Sequence, residues 1–213
     1  MFVQFVDGIF WDFAVVVFVL GVIWRLFSIL RAGIKTDLAT ARASGFAGSV
    51  NTNIRRFLPR KEITQRIWIP YIAGYMFHLG LFILLVFAAP HVRFLEEHIL
   101  GFGWTPMPYW AFILAAEISF AGLLLLLLYR LSHPVTRLIS TADDYIAAML
   151  TFIVMLTGCM ALLESFSGLR VFHLFTVELF MIYFPFSRLM HAFTFVFSRG
   201  YTGSKLARQG IDA

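Results

Sequence analysis

The sequence predicts an all-α fold, an integral membrane bundle of five transmembrane helices with its N-terminus outside and its C-terminus cytoplasmic. Three observations carry that class. Hydrophobic residues make up 60% of the chain and charged residues only 14%, where soluble domains run at roughly 45–50% and about 25%. Five apolar runs approach or exceed the roughly 20 residues needed to cross a hydrocarbon core about 30 Å thick. The cations are concentrated in alternate connections. The runs lie at about 9–30, 67–89, 108–129, 145–163 and 171–189, within a single membrane domain spanning 1–213. They leave no room for a separate soluble catalytic domain.

The first run has Asp7 and Asp12 at its start and no Lys or Arg before Arg25. A secretory signal carries its positive charge ahead of the apolar stretch, so this run reads as a retained helix. Nine Lys and Arg fall between 25 and 66, two between 130 and 137, and four from 188 onward. The two remaining connections hold only Arg93 and Arg170. Cationic loops stay in the cytoplasm, which sets the orientation. The same distribution accounts for the pI near 9.7 without nucleic acid as a partner. Trp24, Trp68, Trp104 and Trp110 fall near span ends, as aromatic belts do.

The cytoplasmic loop 31–66 is the one long hydrophilic segment, a loop with one short helix. Its Arg55, Arg56, Arg60 and Lys61 make it either a docking site for a soluble partner or a solvated loop that satisfies the charge rule. Cys159 is the single cysteine, so neither a disulfide framework nor a thiolate-bound cluster is available to the chain alone. Five spans without an internal repeat argue against a transporter, whose halves repeat and whose helices break.

Ionisable groups inside spans are costly and point to function. Of six histidines, His133 sits in a cytoplasmic turn and His98 in an external loop. His78 lies in the second span and His91 at its external end, His173 at the external start of the fifth and His191 at its cytoplasmic end. The two spans run in opposite directions, so His78 can meet His191 on one side and His91 can meet His173 on the other. His173 and His191 are 18 apart, which on one helix is about five turns, roughly 27 Å and one face. Two neutral imidazoles across an iron, in an apolar pocket, are what a b haem requires. His78 and His91 are 13 apart and about 140° out of phase on an ideal helix, unless Pro90 ends the helix and re-aims His91. The other reading of His91 is an interhelical hydrogen bond.

Glu117 lies inside the third span, Glu178 inside the fifth, and Arg93 close behind His91. An intramembrane carboxylate must be paired or protonated. These three are candidates for quinone-linked proton handling, the two acids alternatively bonding a neighbouring helix.

The segment Phe184-Pro185-Phe186-Ser187-Arg188-Leu189-Met190-His191, with His173 eighteen residues before its end, resembles the last helix of the gamma subunit of respiratory nitrate reductases. Phe77-His78-Leu79-Gly80 resembles the start of that family's second helix. Ser132-His133-Pro134-Val135-Thr136-Arg137 with Thr141-Ala142-Asp143-Asp144 resembles its cytoplasmic loop between helices three and four. The likeness covers about residues 68–200. It implies a prokaryotic inner-membrane cytochrome holding two b haems, a quinone substrate, and electron exchange with a cytoplasmic iron–sulfur subunit. It assigns His78 and His191 to the haem nearer the cytoplasm and His173 to the outer one. Where the family carries a second outer ligand, ten residues after the Phe-His motif, this chain has Ala88. Either His91 replaces it or one haem is absent, and a haem-poor quinone-binding anchor is the alternative. The departure also argues against nitrate as the substrate of the complex, since related cytochromes serve other complexes.

Overall fold

A computed structural model describes residues 2–33, 40–58, 61–162 and 167–211, with the side chains of 61–64, 66 and 167 not included. Part of the loop 31–66 (34–39, Pro59 and Arg60) lies outside the described residues, as does 163, the expected end of the fourth span. The Lys61 side chain is likewise not described. Among the described residues the fold is all helical, and five helices are long and apolar enough to cross a membrane: Phe2–Ala32, Ile67–Phe87, Tyr109–Ser132, Ala142–Leu162 and Gly168–Phe186. We number the helices in chain order. Helix α1 covers Phe2–Ala32 with a π turn at Val6–Phe10, α2 Gly45–Arg55, α3 Lys61–Phe87 and α4 Ala89–Leu95. Then come α5 Tyr109–Ser132, α6 Pro134–Ile139, α7 Ala142–Leu162, α8 Ser167–Tyr183 and α9 His191–Arg208.

The chain divides into two compact units, Met1–Ile63 with Leu174–Ala213, and Thr64–His173. In the second unit α3 and α5 pack on small residues. A β-carbon at Gly80 would lie 2.8 Å from the Ala115 carbonyl, and one at Gly122 2.5 Å from the Phe77 nitrogen. Backbones that close leave little room between them, and the buried Ser119 hydroxyl donates across the gap to the Phe77 carbonyl at 3.0 Å. This is the small-residue packing of membrane helices, where dispersion and interhelical hydrogen bonds replace the hydrophobic effect. Phe77, Leu84, Leu123 and Met155 fill the core around the seam.

Two breaks matter for the histidines. Ile67 is non-helical inside α3, because Pro70 lacks an N–H and its ring crowds the carbonyl four residues earlier. At the other end α3 stops at Phe87, Ala88 is extended, and Pro90 sits in the first turn of α4. The freed carbonyls are taken up locally. Ala88 N–H donates to Leu84, the Trp104 indole to Val86 at 3.0 Å, and Met107 N–H to Phe87 at 2.9 Å.

The α5–α7 connection is equally well tied. The His133 ring caps α6 by accepting from Thr136 N–H. Asp144 accepts from the Thr141 N–H and hydroxyl at 2.9 and 3.1 Å, the return half of a capping box, and pairs with Arg130 at 3.2 Å.

In the first unit, α1 crosses the 3-10 turn Phe184–Phe186 so closely that a β-carbon on Gly21 would lie 2.6 Å from the Pro185 ring. Phe18, Val22, Phe184 and Met190 pack there. Helix α9 lies against α2 through Gly200, Gly203 and Ala207 on one side and Gly45, Gly48 and Thr52 on the other.

Candidate metal centre

His173 is the best-held imidazole. It lies in the first turns of α8, half-buried, with Nδ1 3.1 Å from the Thr157 hydroxyl of α7. That hydroxyl lies 2.9 and 3.0 Å from the Ile153 and Val154 carbonyls, the back-bond typical of a helical threonine. With its own proton so engaged, it can accept from Nδ1–H, and the ring also bonds the Val154 carbonyl. The next residue, Gly158, gives the ring its room, for a β-carbon there would lie 3.0 Å from Cε1 and 3.3 Å from Nε2. Neither Thr157 nor Gly158 drew notice in the sequence, where a Thr-Gly pair in an apolar run reads as ordinary packing.

His91 and His173 belong to the same compact unit, and a positive charge on His91 would act against one on His173. The helix does end before Pro90, with Ala88 extended, and His91 Nδ1–H donates back across the break to the Leu84 carbonyl at 3.1 Å.

His78 lies within α3 of the same unit, its Nδ1–H donating to the Gly74 carbonyl at 2.7 Å and its ring edge-on to Phe77. His191 belongs to the other unit and is exposed, with Nδ1–H donating to the Arg188 carbonyl at 2.8 Å. In His78, His91 and His191 alike, Nδ1–H is spent on a backbone carbonyl. The exposed His98 makes a similar bond to the Phe94 carbonyl, so the bond alone selects nothing. Of the candidates, His78 and His173 lie inside the long apolar helices, whereas His91 and His191 lie just beyond their ends, and His133 uses Nδ1 as a helix cap.

The continuous five-turn helix between His173 and His191 is not there. Helix α8 ends at Tyr183, two 3-10 turns follow at Phe184–Phe186 and Arg188–Met190, and Ser187 between them is extended. His191 is the first residue of α9. Pro185 and the bonds of the buried Ser187 to Phe184 and Leu189 explain the break.

No family model matches the chain. A curated protein of Nitratidesulfovibrio vulgaris (strain Hildenborough), named simply "Protein", is 28% identical over 197 residues, 91% of this chain and 83% of that one. The likeness is whole-length. That printed name carries no activity, so the chemistry rests on the residues.

Among the described residues no three His, Cys, Asp or Glu side chains gather into a chelating cluster. Axial ligation of a haem needs only two imidazoles, one on each face. Two features of His173 are compatible with such a role: a ring held by the Thr157 hydroxyl and a ring seated over a glycine.

The acids separate. Glu178 is 0% exposed, and among the described residues neither carboxylate oxygen has a hydrogen-bond partner. Asp7, in the π turn of α1, is near enough to act on its charge, and in the same unit the Phe175 ring is tilted against Phe2 and Phe10 at 5.9 and 5.7 Å. Glu117 is exposed on the surface of α5, and Arg93 is exposed on α4.

Proposed function

We propose that the chain is the di-haem b membrane subunit of a respiratory oxidoreductase complex in a prokaryotic inner membrane. It would exchange electrons between the quinone pool and a cytoplasmic iron–sulfur partner. The observation that supports this reading is the seat of His173, with Thr157 orienting the ring and Gly158 making room for it. An outer-shell bond of this kind fixes the tautomer and raises the basicity of a ligating imidazole. His91 and His173 would hold one haem, His78 and His191 the other. When bound, such a group supplies a one-electron carrier within the membrane.

The chain's own residues would manage the protons. Oxidising a quinol releases two protons with its two electrons. Glu178 is the acceptor we assign, as a buried carboxylate whose oxygens are uncommitted among the described residues. Asp7 is the next carboxylate on the way to the surface. Glu117 and Arg93, both exposed, remain candidates for meeting the quinone itself. With the N-terminus outside, this release would leave charge separated across the bilayer.

The alternative reading, an anchor with one haem or none, draws on Ala88 standing where the resembled family has a ligand. Haem b per chain, measured by pyridine haemochrome before and after His91→Ala, separates the two. Two haems falling to one support the di-haem reading and His91 as a ligand. One haem that the substitution leaves unchanged restricts the chain to the His78/His191 pair. No haem removes the cytochrome and leaves the anchor.

A further inference from the structure

The face of α2 turned away from α9 is apolar and uncovered. Phe46 is 81% exposed and Ile54 67%, with Val50 also exposed between them. At 100° per residue, Phe46, Val50 and Ile54 form one stripe, and Gly45, Gly48 and Thr52 on the opposite side are taken by α9. The stretches 40–58 and 191–213 contain Arg42, Arg55, Arg56, Arg199, Lys205 and Arg208 against one acid, Asp212. Helix α9 adds exposed Phe193, Val196, Phe197 and Tyr201.

The place of this hairpin is fixed by the chain. Only residues 187–190 separate the end of the fifth span from α9. Four residues reach at most about 14 Å, and two turns shorten that further. The polar zone outside the hydrocarbon is itself about 5–7 Å deep on each side. So α9 starts at the membrane boundary, and α2 is bound to it along its length. Asn53 donates to the Val196 carbonyl at 3.2 Å, and the Arg199 guanidinium stacks over Phe57 and Phe195 at 4.8 and 5.2 Å.

We propose that α2 and α9 form a helical hairpin lying along the bilayer surface, with the Phe46–Ile54 stripe among the acyl chains and the cations on anionic lipid headgroups. An apolar stripe, a cationic remainder and closeness to the membrane are what interfacial amphipathic helices share. A water-soluble partner would meet the apolar stripe equally well. It would gain nothing from a cationic surface at a membrane boundary, whereas anionic headgroups would. The inference depends on neither haem nor quinone.

The orientation gives a sharp test. Gly45, beside Phe46, meets Ser204, which is 13 residues into α9 and about 20 Å from its start. Lipid contact at Phe46 therefore requires the hairpin to lie flat. The full-length protein carrying Cys159→Ala would receive single cysteines by Phe46→Cys or Ile54→Cys and be labelled with a fluorophore. It would then be placed in nanodiscs of phosphatidylcholine with or without phosphatidylglycerol. Expected is loss of most emission at both sites to a quencher on the lipid chains, with protection from aqueous iodide. The loss should be deeper with phosphatidylglycerol, and Arg42→Gln with Arg55→Gln and Arg56→Gln should abolish that difference. Quenching by iodide at both sites, or by lipid at Ile54 alone, overturns the proposal and leaves the face to a soluble protein. Lipid quenching indifferent to phosphatidylglycerol and to the arginines overturns the headgroup assignment.

Discussion

His173, Thr157 and Gly158 make a single-residue test of the metal centre. Thr157→Val keeps the volume and removes the hydroxyl held at Nδ1. Loss of such an outer-shell partner is expected to weaken haem binding by about 10–100-fold, read by titrating haem into apoprotein, with the low-spin haem spectrum changed. Glu178→Gln should slow quinol oxidation by the membrane-embedded complex while haem content stays unchanged. An unaltered rate removes Glu178 from proton handling. The histidines and Glu178 were legible in the sequence because an ionisable group in an apolar run stands out by composition alone. Thr157 and Gly158 were not, since threonine and glycine are common wherever membrane helices touch. The one-face relation of His173 and His191 failed for a different reason. A count of residues assumes one helix, and the capping of Ser187 that ends it is a local bond no spacing encodes.

At the level of helices, the α3–α5 seam and the α5–α7 connection differ in what holds them. Gly122→Val places carbon against the backbone of α3 and should lower the thermal midpoint of the detergent-solubilised protein. Gly74→Ala meets nothing within 4 Å and gains up to about 1 kcal/mol of helix propensity, so it should be neutral or stabilising in the same assay. Asp144→Ala removes a helix cap and strands Arg130 beside Ser140. Loss of one member of such a set costs about 1–3 kcal/mol, measurable as a lower unfolding midpoint. Sequence located all five long helices because length and apolarity define them, the ends falling within about three residues except at the first, which starts at Phe2 rather than near residue 9. It left the α2–α9 pairing unseen, because that contact is made of glycines and a threonine, whose meaning lies only in what approaches them.

For the whole molecule, the proposed orientation follows from fifteen cations in one set of connections against two in the other. Alkaline phosphatase fused after residue 211 is expected to be inactive in cells, and a fluorescent protein at the same place to be bright. The reverse result would invert the orientation and move the iron–sulfur partner to the other side. The α2–α9 seam also has a consequence for biosynthesis. Asn53 finds its partner carbonyl 143 positions later, which at about 5–20 residues per second is on the order of ten seconds of translation. During that interval Gly45, Gly48 and Thr52 have no helix to cover them. A nascent chain halted before His191 should therefore present α2 to proteases and chaperones, and release of α9 from the ribosome becomes the moment at which the molecule passes inspection.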